Sequence, residues 1–295
     1  MKVKWLGHAS MLVTSDDGLR VVTDPYTPGA FGLNYAPIDV EADVVTVSHD
    51  HADHNNVPAV KGKPDVVKGG GVHNIRGVAF QGIDCYHDDS SGSQRGTNTT
   101  FCFSLDGIRV CHLGDLGHPL RPEDRAQIDY ADVLFMPVGG NFTIDASVAA
   151  ETGRVLSAKV VIPMHYCNKR CPDFPVAGVE EFLTLMANVR RADGTEVEFH
   201  KDSLPDTTEV VVLEPALYRL QHLSPNRPSE RGRYLDQLEY GNADWWCRYG
   251  ARYALRVIRK TLYAEPFTFK DAVSPLMGWR VLQEMPEVMT TQFGQ

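Results

Sequence analysis

The run Val47-Ser48-His49-Asp50-His51-Ala52-Asp53-His54 gathers four side chains able to ligate a metal, His49, His51, Asp53 and His54, within six positions. Imidazole nitrogen and carboxylate oxygen are natural donors to borderline divalent ions such as zinc, so the H-x-H-x-D-H spacing points to a metal site. The run follows an apolar, β-branched stretch at 44–47. A strand that ends in a tight loop can aim all four at one place, with His49 and His51 facing one ion and Asp53 and His54 another. The competing reading is a chance cluster on a solvated loop. Three later residues also stand at the ends of strand-like runs: His87 after Cys85-Tyr86, Asp115 after His112-Leu113-Gly114, and His165 after Ile162-Pro163-Met164. Gly114 allows close backbone approach, and one carboxylate can bridge two cations about 4 Å apart. Taken singly, Asp115 also reads as a turn or cap residue, and His87 and His165 as satisfied core histidines.

The H-x-H-x-D-H signature resembles that of the metallo-β-lactamase superfamily. The resemblance implies a four-layer αββα sandwich of α/β class, with His49, His51 and His87 on one metal, Asp53, His54 and His165 on the other, and Asp115 bridging. The start Trp5-Leu6-Gly7-His8-Ala9-Ser10, followed by Thr23-Asp24-Pro25, is similar to the branch that holds the ascorbate-phosphate lactonase and the N-acyl-phosphatidylethanolamine phospholipase D. The stretches Arg95-Gly96-Thr97-Asn98-Thr99 and Gly114-Asp115-Leu116-Gly117-His118 resemble small uncharacterised hydrolases of that branch. The likeness covers residues 1 to about 215. In that fold His8 opens onto the same end of the sheet, where it could hydrogen-bond substrate or a ligand; a purely structural Gly-His turn is the alternative. Asp24 is expected to orient an imidazole through its free N–H.

Two divalent ions lower the pKa of a bound water until hydroxide exists near neutral pH, and they polarise the group that it attacks. The expected reaction is therefore metal-assisted hydrolysis of an ester-type bond, a lactone or a phosphodiester. Asp53 would orient the nucleophile and take its proton; water or His8 would protonate the leaving group. Zinc is expected at both positions, and manganese, iron or nickel suit the same donors. A diiron reductase of the same fold would carry Glu where His51 stands. A nuclease of that fold and a metal-dependent sensor remain as rivals. Arg95 is the cation nearest His87, placed either to hold a substrate anion or to pair with Asp88 and Asp89.

These residues need elements to position them. Strands are expected at 3–6, 10–14, 19–23, 44–47, 101–105, 108–112, 133–137, 160–163 and 210–213, with tight turns at Asp17-Gly18 and Asp106-Gly107. The continuous apolar runs suit strands covered on both faces, whereas Glu196 and Glu198 alternate with Thr195, Val197 and Phe199 as in a strand with one wet face. Helices are expected at 146–157, capped by Asp145, and at 179–189.

The 295 residues are 43% hydrophobic and 23% charged, an ordinary globular composition. The net charge of −9 counts against a nucleic-acid binder with a broad basic surface, although a small anionic substrate could be bound locally. Six cysteines in a chain read as cytoplasmic suggest reduced thiols. No apolar run reaches the ~20 residues that span a bilayer. Residues 221–295 hold 10 Lys and Arg against 8 Asp and Glu, leaving 19 against 30 in residues 1–220. The expected division is a catalytic domain over 1–220 and a helical extension over 221–295 that serves as a lid or dimer contact, with a homo-oligomer as one outcome.

Overall fold

The computed structural model describes residues 1–215, and the expectation of a helical extension at 221–295 lies outside them. The first part of the chain builds one mixed sheet from β1 (Lys2–Gly7), β2 (Ser10–Thr14), β3 (Arg20–Thr23), β4 (Val44–Val47) and β5 (Asp65–Lys68). The second sheet begins with β6 (Gly71–Ile75), β7 (Val78–Tyr86), β8 (Thr97–Leu105) and β9 (Ile108–His112). Then come α1 (Pro122–Ile128), β10 (Val133–Pro137), α2 (Ala146–Val155), β11 (Val160–Met164) and α3 (Glu180–Thr184). Three short strands, β12 (Val189–Arg191), β13 (Glu196–Glu198) and β14 (Glu209–Val212), complete the described chain. The strand orders are β13-β1-β2-β3-β4-β5 and β12-β14-β11-β10-β9-β8-β7-β6.

The continuous apolar runs are strands buried on both faces, as their composition requires. Along β3 and β4 successive valines enter different clusters: Val21 and Val44 face a core shared with the second sheet, and Val22, Val45 and Val47 face the other way. On that outer side the cover is the 24–43 loop, through Tyr26, Leu33, Tyr35 and Ile38. Among the described residues the helices lie with the second sheet, α1 against β7 and α2 against β10 and α3. The expected layers are thus present, with the outer layer on the first sheet made by loop.

The Asp106-Gly107 turn closes the β8–β9 hairpin with both residues at positive φ, 53° and 72°, as a two-residue turn matched to strand twist demands. Asp145 accepts a hydrogen bond from the Val148 N–H at 2.9 Å and caps α2 as expected. The helix expected at 179–189 is only the five residues of α3. Its apolar period was misleading: Phe182 is buried but Leu185 is 49% exposed, and Val189 opens a strand that pairs in parallel with β14.

Topology decides where the site falls. Strands β1, β3 and β4 run in one direction within the first sheet, and β7, β9, β10 and β11 share a direction within the second. Every candidate ligand stands just beyond the C-terminal end of one of these strands, where open α/β sheets gather ligands.

Candidate metal centre

His8 and Asp24 follow β1 and β3; His49, His51, Asp53 and His54 follow β4; His87 follows β7; Asp115 comes three residues after β9; and His165 follows β11. The structure brings all eight proposed site residues into one cluster. Ligand atoms of His49, His51 and His87 lie within 4.8 Å of one another, as do those of His8, Asp53, His54 and His165. Asp115 stands between the two groups. Its Oδ2 is 3.2 Å from the Nε2 atoms of His54 and His165, 3.3 Å from that of His87 and 3.9 Å from that of His49. His51 is exposed, whereas the other members are buried or nearly so.

Several polar atoms in this cluster are buried without a hydrogen-bond partner: His49 Nε2, Asp53 Oδ1, Asp115 Oδ1 and His165 Nδ1. Such atoms cost free energy unless something satisfies them, and nitrogen and oxygen lone pairs converging on common points suit a cation. The residues present therefore fit divalent metal ions.

The protons of three imidazoles are placed by their neighbours. Asp24 is fully buried and accepts from the Ser48 N–H at 2.7 Å, from Ser48 Oγ at 2.5 Å and from His54 Nδ1 at 2.9 Å. Because the Ser48 hydroxyl donates to Asp24, it accepts from His49 Nδ1 at 2.9 Å. His87 Nδ1 donates to the Phe142 carbonyl at 3.1 Å. In each ring Nε2 is left facing the cluster, the arrangement by which outer partners orient metal-binding histidines. Asp24 thus serves His54 directly and His49 through Ser48, although it also lies within ligand distance of both.

Local backbone is shaped to the same end. His8, Asp24 and His165 all hold left-handed φ, at 51°, 38° and 53°, a conformation that non-glycine residues adopt at a cost. Gly114 lets the Asp115 turn press against the β4 loop: a Cβ there would come within 2.3 Å of Asn98 Oδ1 and 2.6 Å of Ser48 Cβ. Asn98 anchors that turn, accepting from the Asp115 N–H at 2.9 Å and donating to the Leu113 carbonyl at 2.8 Å.

Burial and charge set the protonation of the cluster. Burial pushes His49 down to about 3 and, aided by the neighbouring imidazole of His165, His8 down to about 4, so both are neutral near pH 7. Burial also acts to depress His54, but the Asp115 and Asp53 carboxylates outweigh it and raise that imidazole well above its ordinary value. Burial opposes ionisation of Asp115, yet the imidazoles of His165 and His54 hold it well below the usual carboxylate range.

Sequence reasoning passed over Ser48, His112, Phe142 and Phe174. His112 is buried beneath the cluster, with Nε2 donating to the Ala9 carbonyl at 2.9 Å. Phe174 packs its ring on His8 and His165, with centroids 5.6 and 5.4 Å apart. Only the position of Ser48, next to the histidine run, offered any signal. The pairing of Arg95 with Asp88 or Asp89 does not occur. Asp88 accepts instead from the backbone N–H groups of Ser90, Gly92, Gln94 and Arg95, and the Arg95 guanidinium lies over the Phe142 ring, 5.5 Å from its centroid.

The chain matches the β-lactamase superfamily domain over residues 2–165, a span that ends on His165. A UPF0173 metal-dependent hydrolase of Archaeoglobus fulgidus is 29% identical over 73% of this chain and 96% of its own length. One of Carboxydothermus hydrogenoformans is 30% identical over 56% and 84%. Among solved structures, a Thermotoga maritima protein described as a zinc-dependent hydrolase of the metallo-β-lactamase superfamily aligns with a TM-score of 0.59 and 38% identity. That alignment covers 73% of this chain and 99% of the other.

Proposed function

The chain belongs to the β-lactamase superfamily and, within it, to the UPF0173 metal-dependent hydrolases, and from that premise we propose that it cleaves an ester-type bond at a two-metal centre. The observation that carries the reading is Asp115 Oδ2, within 3.2 to 3.9 Å of imidazole nitrogens from both ligand groups. His49, His51 and His87 would hold one ion, Asp53, His54 and His165 the other, and Asp115 would be shared. Divalent ions held there, zinc or failing that manganese, iron or nickel, would acidify water and polarise the acyl or phosphoryl group under attack.

The protein's own groups do the rest. Asp24, Ser48 and the Phe142 carbonyl fix the ring tautomers so that lone pairs point inward. Asp53, with Oδ1 unpartnered, orients the attacking water and takes up its proton. His8 is 1% exposed, and its Nε2 lies 3.2 Å from Asp53 Oδ2. So placed, its N–H holds the carboxylate in position, and the proton that Asp53 takes from the attacking water passes on to the leaving group. Lactones and phosphodiesters are the substrates that best match such a centre, in keeping with the lactonase and phospholipase branch that the N-terminal motif resembles.

His51→Ala tests the reading, since His51 is the exposed member of its group and its loss leaves the core packed. The variant should lose metal by elemental analysis and hydrolysis of an aryl-ester, lactone and phosphodiester panel together. Full metal occupancy in the variant, or full activity of the native protein after exhaustive chelation, would sink it.

A further inference from the structure

Three arginines among the described residues stack on aromatic rings, and two are fully engaged. Arg121 lies over Tyr86 and is bound by the Asp124 carboxylate at 2.6 and 2.8 Å. Arg109 lies over Tyr130 and donates to the Tyr130 and Ile128 carbonyls and to Gln81. Arg95 differs. It is half-buried over Phe142, yet among the described residues its guanidinium has neither a carboxylate nor a hydrogen-bond acceptor. A stacked guanidinium is held in place with its planar fork of N–H donors free, the form in which arginine recognises carboxylates and phosphates.

The position of this cation is built rather than incidental. Asp88 gathers four backbone N–H groups at 2.7 to 3.0 Å, closing the loop that presents Arg95 and engaging that carboxylate with amides instead of the guanidinium. The base of the loop is pinned to the ligand residue itself, because the His87 N–H donates to the Gly96 carbonyl at 3.0 Å. Phe142, beneath the guanidinium, accepts from His87 Nδ1 through its own carbonyl. Its ring meets Phe174 at 5.8 Å, and Phe174 in turn packs on His8 and His165. Asn141 ties the two loops together by donating to the Pro175 carbonyl at 2.8 Å. The Phe142 ring, backed by Phe174, therefore lies beside the metal-ligand cluster, and the cation stacked on it has no ion-pair partner among the described residues.

We propose that Arg95 and Phe142, backed by Phe174, form the substrate-recognition ledge, and that the substrate is an ester with an apolar segment ending in an anionic group. This rests on the hydrolytic reading above. The apolar segment lies against the half-buried Phe142, which buried Phe174 supports from behind, the anion meets the Arg95 fork, and the scissile bond falls over the ligand cluster.

The test compares 4-nitrophenyl butyrate with mono-4-nitrophenyl glutarate, a matched ester ending in carboxylate, on metal-loaded full-length protein and on Arg95→Gln and Arg95→Lys. Native protein should favour the carboxylate-tailed ester in kcat/KM. Arg95→Gln should lose about tenfold or more of that preference at equal metal content, and Arg95→Lys should recover part of it. Calorimetric binding of 3-phenylpropanoate against 3-phenylpropanol gives the same comparison without turnover. A protein that hydrolyses neither ester but shows the Arg95-dependent preference in binding would leave the ledge standing and overturn the ester reading. Persistence of the preference in Arg95→Gln, or its absence from the native protein in both assays, would overturn the ledge.

Discussion

Asp24 touches no solvent, yet its two oxygens govern the orientation of imidazoles in both ligand groups, directly for His54 and through Ser48 for His49. Removing an outer partner of this kind typically costs ten- to a hundredfold in metal affinity. Ser48→Ala should therefore weaken one ion by about tenfold, whereas Asp24→Asn should weaken both, with competition against a chromophoric chelator as the measurement. Equal loss at both positions in Ser48→Ala would contradict the relay. The depressed and raised imidazoles give a pH dependence whose sign follows from their directions. His54 holds its proton in the metal-free protein because the carboxylates raise it well above 6.5, so an ion must displace that proton. Apparent zinc affinity should therefore climb as pH rises above 6.5. His8 and His49 act the other way on stability: their folded values, about 4 and 3, lie below the ordinary 6.5, so their contribution is present above 6.5 and is lost as pH falls through that window. The metal-free Tm should drop from pH 6.5 toward 4; a flat profile would show that neither ring is held neutral.

The elements differ in how directly they serve the site. Asp145 caps a helix whose buried face is mostly alanine and glycine and which touches no ligand, so Asp145→Ala should cost about 1 kcal/mol and leave metal content alone. Gly114 sits in the turn that delivers Asp115, where a side chain would collide with Asn98 and Ser48. Gly114→Ala should cost on the order of 2–3 kcal/mol by calorimetry and lower metal content as well. Comparing the two variants separates general stability from placement of the carboxylate. Loss of metal in the cap variant, or full metal in the glycine variant, would reverse the assignment. The strands before the histidine run and before His165 were legible because covered β-strands are continuous runs of apolar residues, as at Val44–Val47 and Val160–Met164. The short helix after His165 was not, since Phe182, Leu183, Leu185 and Met186 keep helical spacing while the chain turns to let Val189 join the sheet. Local periodicity yields to tertiary pairing in so short a segment.

Across the described molecule, like-directed strand ends converge at one edge of the two packed sheets, and eight side chains drawn from five loops meet there. No helix among the described residues is long and apolar enough to cross a membrane. The cluster is a set of buried lone pairs and opposed charges without metal, so ions binding only the folded form should raise the melting temperature, contributing about 2.7 kcal/mol at a hundredfold excess over Kd. The donor types and their order along the chain were written in the amino-acid sequence, because ligand chemistry is a property of side chains and H-x-H-x-D-H places four of them within the reach of one loop. The strands before His8, the β4 loop, Asp115 and His165 could be read in the same way, whereas β7, before His87, was not legible because Val78–Tyr86 mixes polar residues and glycine into its run. The meeting of His87, Asp115 and His165 with that loop could not, nor could the stacking of Arg95 on Phe142 in place of an ion pair with Asp88. Those contacts join residues dozens of positions apart, and they depend on strand order, on a glycine that lets two loops touch, and on backbone amides that claim a carboxylate before any cation can.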